Sequence, residues 1–518
     1  MRIALLLAPL LIAAAPAADR ADSWWRHVQI LADDAMEGRE AGTDGHRRAS
    51  DYVAARLAEY GLEPAGDDGT YFQAVTLEER TIQAARSRAA LVREHRTAPL
   101  AVPGDILFRL AATPPPERVD AELVFVGYGF HLPEAGHDDL AGLDLRGRIA
   151  VFVDGEPPNL SGALKSHARA ERGRLFASRG AVGMIQLSAP DEAAWRRLAA
   201  TYGGPGMYPA EPAMRRIGTP FFQAYLNPSV ADRLLGAPVA ALVERARRGE
   251  TLPRIDFSGR LTATIASDSR PVATRNVVAR LPGRDRRLRG EHVLLTAHLD
   301  HLGIGAPVNG DRIYNGALDN AAGSAALLDI AQELRRTRAR PRRSLLFVFV
   351  TGEEKGLVGS RWFAQRPSVP RASIVADLNY DMALPLFPLT GVTVLGADES
   401  SLGADARAAG ASLGLPVMPD PFPERDSFIR SDQYAFIEAG IPALAFKFGF
   451  RPGTPEAETE RAWRANIYHS PQDDLSQTVF RQDEIRLHDF MAAIALRVAD
   501  APARPRWNGD SFFRRFAR

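Results

Sequence analysis

The residues best suited to chemistry lie in the second half of this 518-residue chain, and each group stands where an apolar run gives out. The run 292–297 leads directly into His298-Leu299-Asp300-His301. In such a His-x-Asp pattern one ring nitrogen of His298 can bind a metal while Asp300 accepts a hydrogen bond from the other. Asn315-Gly316-Ala317-Leu318-Asp319-Asn320-Ala321-Ala322-Gly323 reads as a turn opening a helix of small residues. Asp319 has the residue type of a helix N-cap, and equally of a carboxylate whose two oxygens each take one ion; the small residues would let the helix approach closely. After the run 345–350 come two adjacent acids in Thr351-Gly352-Glu353-Glu354. Hydrolysis at a metal needs one carboxylate to hold an ion and another, free of metal, to accept a proton from water. Asn379-Tyr380-Asp381 and Tyr468-His469-Ser470-Pro471-Gln472-Asp473-Asp474 complete the set. Each of these is ordinary as a turn or solvated loop. Together His298, Asp319, Glu354, Asp381 and His469 offer two imidazoles and three carboxylates, which suits a pair of zinc ions with open positions. The chain has no cysteine, so thiolate ligation is excluded.

Regular elements must bring these residues together. From about residue 276 strand-like runs at 292–297, 344–350, 374–379, 392–395 and 442–446 alternate with helical patterns at 319–336, 355–365, 401–413, 433–439 and 483–498. That alternation predicts an α/β sandwich with a largely parallel central sheet. In such folds ligands gather beyond the carboxyl ends of the strands, where the residues above stand. Helical spacing is also present at 24–31 and at 47–60, with Gly61 as the stop. Between about 120 and 259 the pattern changes to short β-type runs, such as 122–128 and 148–154, broken by Gly, Pro and Asp turns and by helical segments at 162–179 and 191–200. This stretch predicts an inserted accessory domain. Within it Gly136-His137-Asp138-Asp139 has the residue types of a solvated turn. The tail 504–518 mixes Arg with Trp507, Phe512, Phe513 and Phe516 and reads as a docked segment.

With 46% apolar and 25% charged residues the composition is that of a globular protein of two or three units. A net charge of +1 argues against a dedicated nucleic-acid binder, which needs a basic excess to neutralise phosphates. Met1-Arg2, the apolar run 3–15 and Ala15-Pro16-Ala17 form a signal-peptide pattern. The run is shorter than the roughly 20 residues a spanning helix needs. Cleavage, no stable membrane insertion afterwards, and a periplasmic or secreted location are therefore expected. Without cysteine, the exported chain must be held by packing and metal rather than by disulfides.

In residue type and order, the set resembles the dizinc peptidase family of bacterial leucyl aminopeptidases, glutamate carboxypeptidase and the catalytically inactive transferrin receptor. Gly38-Arg39 and Gly42-Thr43 look like that family's opening loop, and the insert resembles a protease-associated domain. The resemblance implies a three-layer α/β sandwich with a mixed, largely parallel sheet. It divides the chain into a signal peptide (1–17), the N-terminal part of the peptidase domain (18–115), a β-rich protease-associated insert (116–262), the zinc peptidase domain (263–503) and a tail (504–518). It further implies that His298 and Asp381 bind one zinc, that Glu354 and His469 bind the other, and that Asp319 bridges the two. Glu353 would be the general base, Asp300 the acid orienting His298, and Tyr468 the donor to the oxyanion. A cis peptide between Asp319 and Asn320 belongs to the same pattern. Gln433 departs from it, since relatives often carry His there, and this bears on the substrate pocket. The activity so implied is that of an exported exopeptidase, an aminopeptidase cutting the first peptide bond. A carboxypeptidase, or a glutaminyl cyclase working with one zinc, are the alternatives within the fold. A non-catalytic binding protein is the alternative outside it, and it has no need of all five ligands together with Glu353.

Overall fold

The computed structural model describes residues 17–93, 96–157, 160, 162–256 and 259–517, so the leader expected at 1–17 lies outside the described residues up to position 16. The chain divides into two units. One comprises the chain up to Val75, Thr274–Pro423 and Arg430–Arg518; the other comprises Thr76–Ala273 with Glu424–Ile429.

All the candidate residues fall in the first unit. Its helices are α1 (Ala17–Leu31), α2 (Asp44–Glu59), α3 (Ala322–Arg336), α4 (Val358–Gln365), α5 (Leu402–Leu413), α6 (Gln433–Glu438), α7 (Pro455–Asn466) and α8 (Arg481–Asp500). Its main strands are the end of β1 (Ser267–Leu281), then β2 (His292–His298), β3 (Ser344–Val350), β4 (Ile374–Asn379), β5 (Val392–Leu395), β6 (Val417–Met418) and β7 (Ala443–Phe448). They lie side by side in the order β1-β3-β2-β4-β7-β5-β6. The four at the centre, β3, β2, β4 and β7, are mutually parallel, while β1 pairs antiparallel with β3 and β5 with β7.

Parallel strands covered on both faces read as unbroken apolar runs, and β3 (SLLFVFV) is buried at every position. Its alternate residues serve two cores. Leu345, Phe347 and Phe349 pack with residues of α1, α2, α3 and α8, whereas Leu346, Val348 and Val350 pack with Phe363 of α4 and Phe436 of α6. Burying one such side chain stabilises the fold by about 1.5–3 kcal/mol, so the two faces fix the register of the strand firmly. That register pairs His298 with Val350 and Thr296 with Asn379. The segments following β2, β3 and β4 therefore leave from one end of the sheet.

Two helices differ from the sequence expectation. The pattern at 319–336 becomes a helix only at Ala322, because 317–321 form a wide turn with non-helical backbone at Asp319 and Asn320. Helix α7 has no counterpart among the elements read from the sequence; it buries only Ala457, Glu460 and Trp463, too few for a clear apolar stripe.

The second unit carries an eight-stranded mixed sheet in the order Arg96–Leu100, Arg88–Arg93, Arg260–Thr264, Arg118–Phe125, Ile149–Val153, Gly183–Leu187, Phe222–Leu226, Ile106–Phe108. The insert read from sequence begins at 116, but the strands at 88–108 pair into this same sheet, so the unit starts at Thr76. His137 and Asp138 lie in a short hairpin, with His137 Nε2 2.9 Å from Asp139 and His131 Nδ1 3.1 Å from Asp138. In the first unit, the tail is held by Trp507, which donates to the Gly440 carbonyl at 3.2 Å, and by buried Phe513. Among the described residues no helix is long and apolar enough to cross a membrane.

Candidate metal centre

His298 is the last residue of β2, Glu353 and Glu354 follow β3, and Asp381 follows β4; Asp319 sits in the turn before α3 and His469 in the loop after α7. His298 Nε2 lies 3.2 Å from Asp319 Oδ1 and 3.4 Å from Asp381 Oδ1. His469 Nε2 lies 3.3 Å from Asp319 Oδ2 and 3.3 Å from Glu354 Oε2. Ligand atoms around a tetrahedral zinc with bonds of roughly 2.0–2.1 Å stand about 3.3 Å apart. Both sets have that spacing, and Asp319 contributes one oxygen to each, so the donors fit two zinc ions bridged by Asp319.

His301 is the alternative partner for Glu354 and Asp319, since the three could also surround one ion. Its distances differ from those of His469. Nδ1 is 2.8 Å from Glu354 Oε1, a hydrogen-bond length closer than two ligands of one ion would stand, and 3.9 Å from Asp319 Oδ2. His301 therefore grips the oxygen of Glu354 that faces away from His469. Its fixed place depends on Gly316, where a Cβ would meet the imidazole at 2.5 Å and the Asp319 carbonyl at 2.2 Å.

Asp300 behaves differently from the sequence expectation. The group 3.0 Å from His298 Nδ1 is the main-chain carbonyl of Asp300, while its carboxylate accepts the backbone N–H groups of Glu353 at 3.1 Å and Glu354 at 3.4 Å. A carbonyl only two residues on reaches the ring directly, which frees the side chain to hold the loop carrying both glutamates. Asp473, fully buried, does the same for the bridging residue, accepting the N–H groups of Leu318 and Asp319 at 2.9 Å each. Arg39, also fully buried, donates to the carbonyls of Leu299, Asn315 and Gly316 at 2.7–2.9 Å and to that of Leu31. It thus ties together the segments after β2 and before α3. The Asp319–Asn320 peptide is cis. Asn320 donates to the Tyr380 carbonyl at 2.8 Å, an approach that requires Gly323, where a Cβ would stand 2.2 Å from Asn320 Oδ1 and 2.7 Å from that carbonyl.

The two adjacent glutamates are driven apart electrostatically. Burial, reinforced by the charges of Glu354, Asp432 and Asp381 and opposed by His298, holds the Glu353 carboxyl well above the usual range. Glu354 resists burial and the charge of Asp319 because bonds from His301 and His469 keep it low. The Tyr468 ring is stacked on that of His469, 3.7 Å between centroids. Burial, then the charges of Asp319 and Glu354, raise its hydroxyl, which keeps it a proton donor. Beneath the centre Thr296 bonds Asp377 and Asn379, and Asn379 donates to Ser431 and to Gln433 Oε1 at 2.8 Å. Gln433 is fully buried in this network, so the departure noted in the sequence alters the support under the site.

The sequence reading thus placed all five ligand candidates, Glu353 and Tyr468 in one neighbourhood, and missed His301, Asp473 and the clamp formed by Arg39. His301 adjoined a recognised motif, and its type was the available signal; Asp473 and Arg39 act on main-chain groups, which leave no trace in spacing.

Residues 276–493 match the model of peptidase family M28. The leupeptin-inactivating enzyme 1 of Streptomyces exfoliatus is 29% identical over 231 residues, covering 43% of this chain and 48% of that protein. A probable leucine aminopeptidase 2 of Aspergillus oryzae is 26% identical over 291 residues, 52% of this chain and 54% of that protein. The chain thus spans about half the length of these curated relatives. Among solved structures, an aminopeptidase from Aneurinibacillus sp. strain AM-1 superposes with a TM-score of 0.52 at 20% identity, covering 93% of this chain and 95% of that one, and so has the same fold.

Proposed function

We propose, since the chain belongs to peptidase family M28 through its residues 276–493, that it is a zinc-dependent exopeptidase which removes N-terminal residues from peptides. The observation that carries this reading is the pair of ligand sets at 3.2–3.4 Å spacing that share Asp319, with Glu353 beside them and outside both. His298, Asp381 and Asp319 would hold one zinc, and Glu354, His469 and Asp319 the other. When bound, such ions make a water acidic near neutral pH and polarise the scissile carbonyl. Glu353, the acid left outside both ligand sets, accepts the proton of the attacking water and delivers it to the leaving amine. Tyr468 donates its hydroxyl hydrogen to the oxygen that gains charge in the transition state. The names of relatives, among them leucine aminopeptidases and probable zinc metalloproteases, support zinc and attack at the amino end. Export rests on the leader pattern at 1–17, and the second unit is read as a protease-associated domain.

Metal analysis of the purified protein should give two zinc ions per chain, with Glu353→Gln retaining both and losing at least about a hundredfold in kcat. Peptides blocked at one end or the other settle the direction of attack. Full activity in the glutamine variant would overturn the mechanism, cleavage only of N-blocked peptides would make the protein a carboxypeptidase, and a single zinc would favour cyclase chemistry.

A further inference from the structure

The metal centre stands beyond the carboxyl ends of β2, β3 and β4, and the opposite end of these strands carries a surface of another kind. There the chain enters β2 through 282–291 and β3 through 337–343, and the two connections pack together. Arg284 donates its backbone N–H to the Pro341 carbonyl at 2.9 Å and its Nε–H to the Arg340 carbonyl at 2.7 Å. The pairing of Leu281 with Leu345 and of His292 with Ser344 sets both connections at one level. β2 is seven residues long, so at a rise of about 3.3 Å per residue this level lies about 20 Å from that of His298.

Arginines crowd both connections. The inner ones are paired, Arg343 with Glu291 at 2.6 Å, Arg342 with Asp285 at 2.8 Å and Arg336 with Glu333 at 2.6 Å. The outer ones are not. Arg284, Arg286, Arg287 and Arg289 are exposed on the first connection, as are Arg335, Arg338 and Arg340 at and after the end of α3. Among the described residues none of these seven has a carboxylate oxygen within 4.0 Å. The chain as a whole carries only +1, so this excess is local. Like charges gathered without partners repel one another and project a field that draws in anions.

A second observation concerns what lies next to this end. Arg20 of α1 reaches Asp329 at 2.7 Å and Glu333 at 3.9 Å, while Trp24 donates to the Ala322 carbonyl at 3.1 Å. Helix α1 therefore runs antiparallel to α3, and its first residue, Ala17, stands level with the end of α3 that carries Arg335 and Arg336. The apolar run 3–15 thus joins the chain at the arginine-bearing end.

We infer that this arginine face docks on an anionic membrane surface, taking lipid phosphates as partners without entering the bilayer. A guanidinium fork bonds two oxygens of one phosphate at once, and clusters of about 4–8 basic residues hold anionic leaflets. A nucleic acid offers the same phosphates, but the apolar run that meets the chain here has the pattern of a segment that engages a bilayer. Docked in this way, the protein keeps its metal centre about one strand length from the lipid. The inference goes beyond the exopeptidase reading and does not depend on it.

The chain recovered after export is sedimented with vesicles of phosphatidylcholine alone and of phosphatidylcholine mixed equally with phosphatidylglycerol. Binding to the anionic vesicles should be at least about tenfold tighter, and should weaken as NaCl rises from about 50 mM to about 500 mM. Arg286, Arg287, Arg289 and Arg340 make no side-chain hydrogen bond among the described residues, so replacing all four by Gln leaves the fold intact. This variant should bind the anionic vesicles at least about tenfold more weakly, with peptide turnover in solution unchanged. A control variant with Arg179, Arg196, Arg197 and Arg233, exposed on the second unit, replaced by Gln has the same net charge and should bind as the wild type does. Equal binding to both kinds of vesicle, or equal losses in the two variants, overturns the inference. Binding of duplex DNA through these arginines with no hold on the vesicles overturns it as well and makes the face a nucleic-acid surface. The wild-type comparison of vesicles decides even if a variant does not fold.

Discussion

Glu353 and Glu354 are covalent neighbours with opposite fates, and the side chain most responsible is one that carries no expected metal. His301 holds one oxygen of Glu354 at 2.8 Å, leaving the other toward His469 and Asp319. Partners of this kind, which orient a ligand without touching the ion, typically govern affinity by about 10–100-fold. His301→Ala should therefore still bind two zinc ions at saturation, with one lost about 10–100-fold more readily in a chelator titration. A variant that saturates with one zinc would instead make His301 a ligand. At this scale the ligand types were legible in sequence because zinc chemistry restricts them to His and carboxylates once cysteine is absent. The role of Asp300 was not, because a main-chain carbonyl and a side chain two residues from the same histidine compete for one nitrogen, and only geometry decides.

Elements are positioned by a second buried group on the far side of Tyr380. Asp329 of α3 accepts from Arg20 of α1 at 2.7 Å and stands 2.9 Å from His488 Nδ1 of α8. Tyr380, just before Asp381, donates to Glu484 of α8 at 2.6 Å. His488 is fully buried, and although burial alone would lower its pKa, bonds to Asp329 and Glu484 push it up to about 9. A histidine pKa raised on folding stabilises the native state fully below its unfolded value near 6.5, and that contribution fades as pH climbs through 9. The contribution at stake is on the order of 3 kcal/mol. Urea unfolding of the wild type should show stability falling between about pH 6.5 and pH 9, and the stability difference from His488→Gln should narrow over the same interval. A difference independent of pH would mean that His488 is not charged in the fold. Strands were legible because a doubly covered strand is largely apolar, as β3 is from Leu345 to Val350. Helix α7 was not, since its sparse buried face leaves no periodic stripe, although it leads into the loop that presents Tyr468 and His469.

The chain has no cysteines, so disulfides take no part in its stability, and ions held in the proposed centre would add to it. Ligands that bind only the folded state stabilise it by about 2.7 kcal/mol at a hundredfold excess over Kd and about 4.1 kcal/mol at a thousandfold. Stripping zinc with a chelator should lower Tm by several degrees, and re-addition of zinc should restore it in a concentration-dependent way. An unchanged Tm would mean that the carboxylate cluster is stable without ions. Two parts of the sequence-level picture concern this scale. The division into two units was visible as a change from long α/β alternation to short β runs. Its starting boundary was not, because the strands at 88–108 are assigned by their pairing with strands more than a hundred residues later.

By itself the sequence determined the chemistry on offer and the end of the sheet at which it would stand. The ends of β2, β3 and β4 show in the sequence as the places where largely apolar runs give way to polar residues, although Thr296, Asp377 and Asn379 are buried polar groups within β2 and β4. Tertiary structure alone decided how the residues share the work: which oxygen of Asp319 faces which histidine, why His301 grips Glu354 rather than an ion, and that Asp473 and Arg39 hold the loops. These are distances between groups far apart along the chain, set by strand register and by the close approach that Gly316 and Gly323 permit. No local pattern encodes such distances.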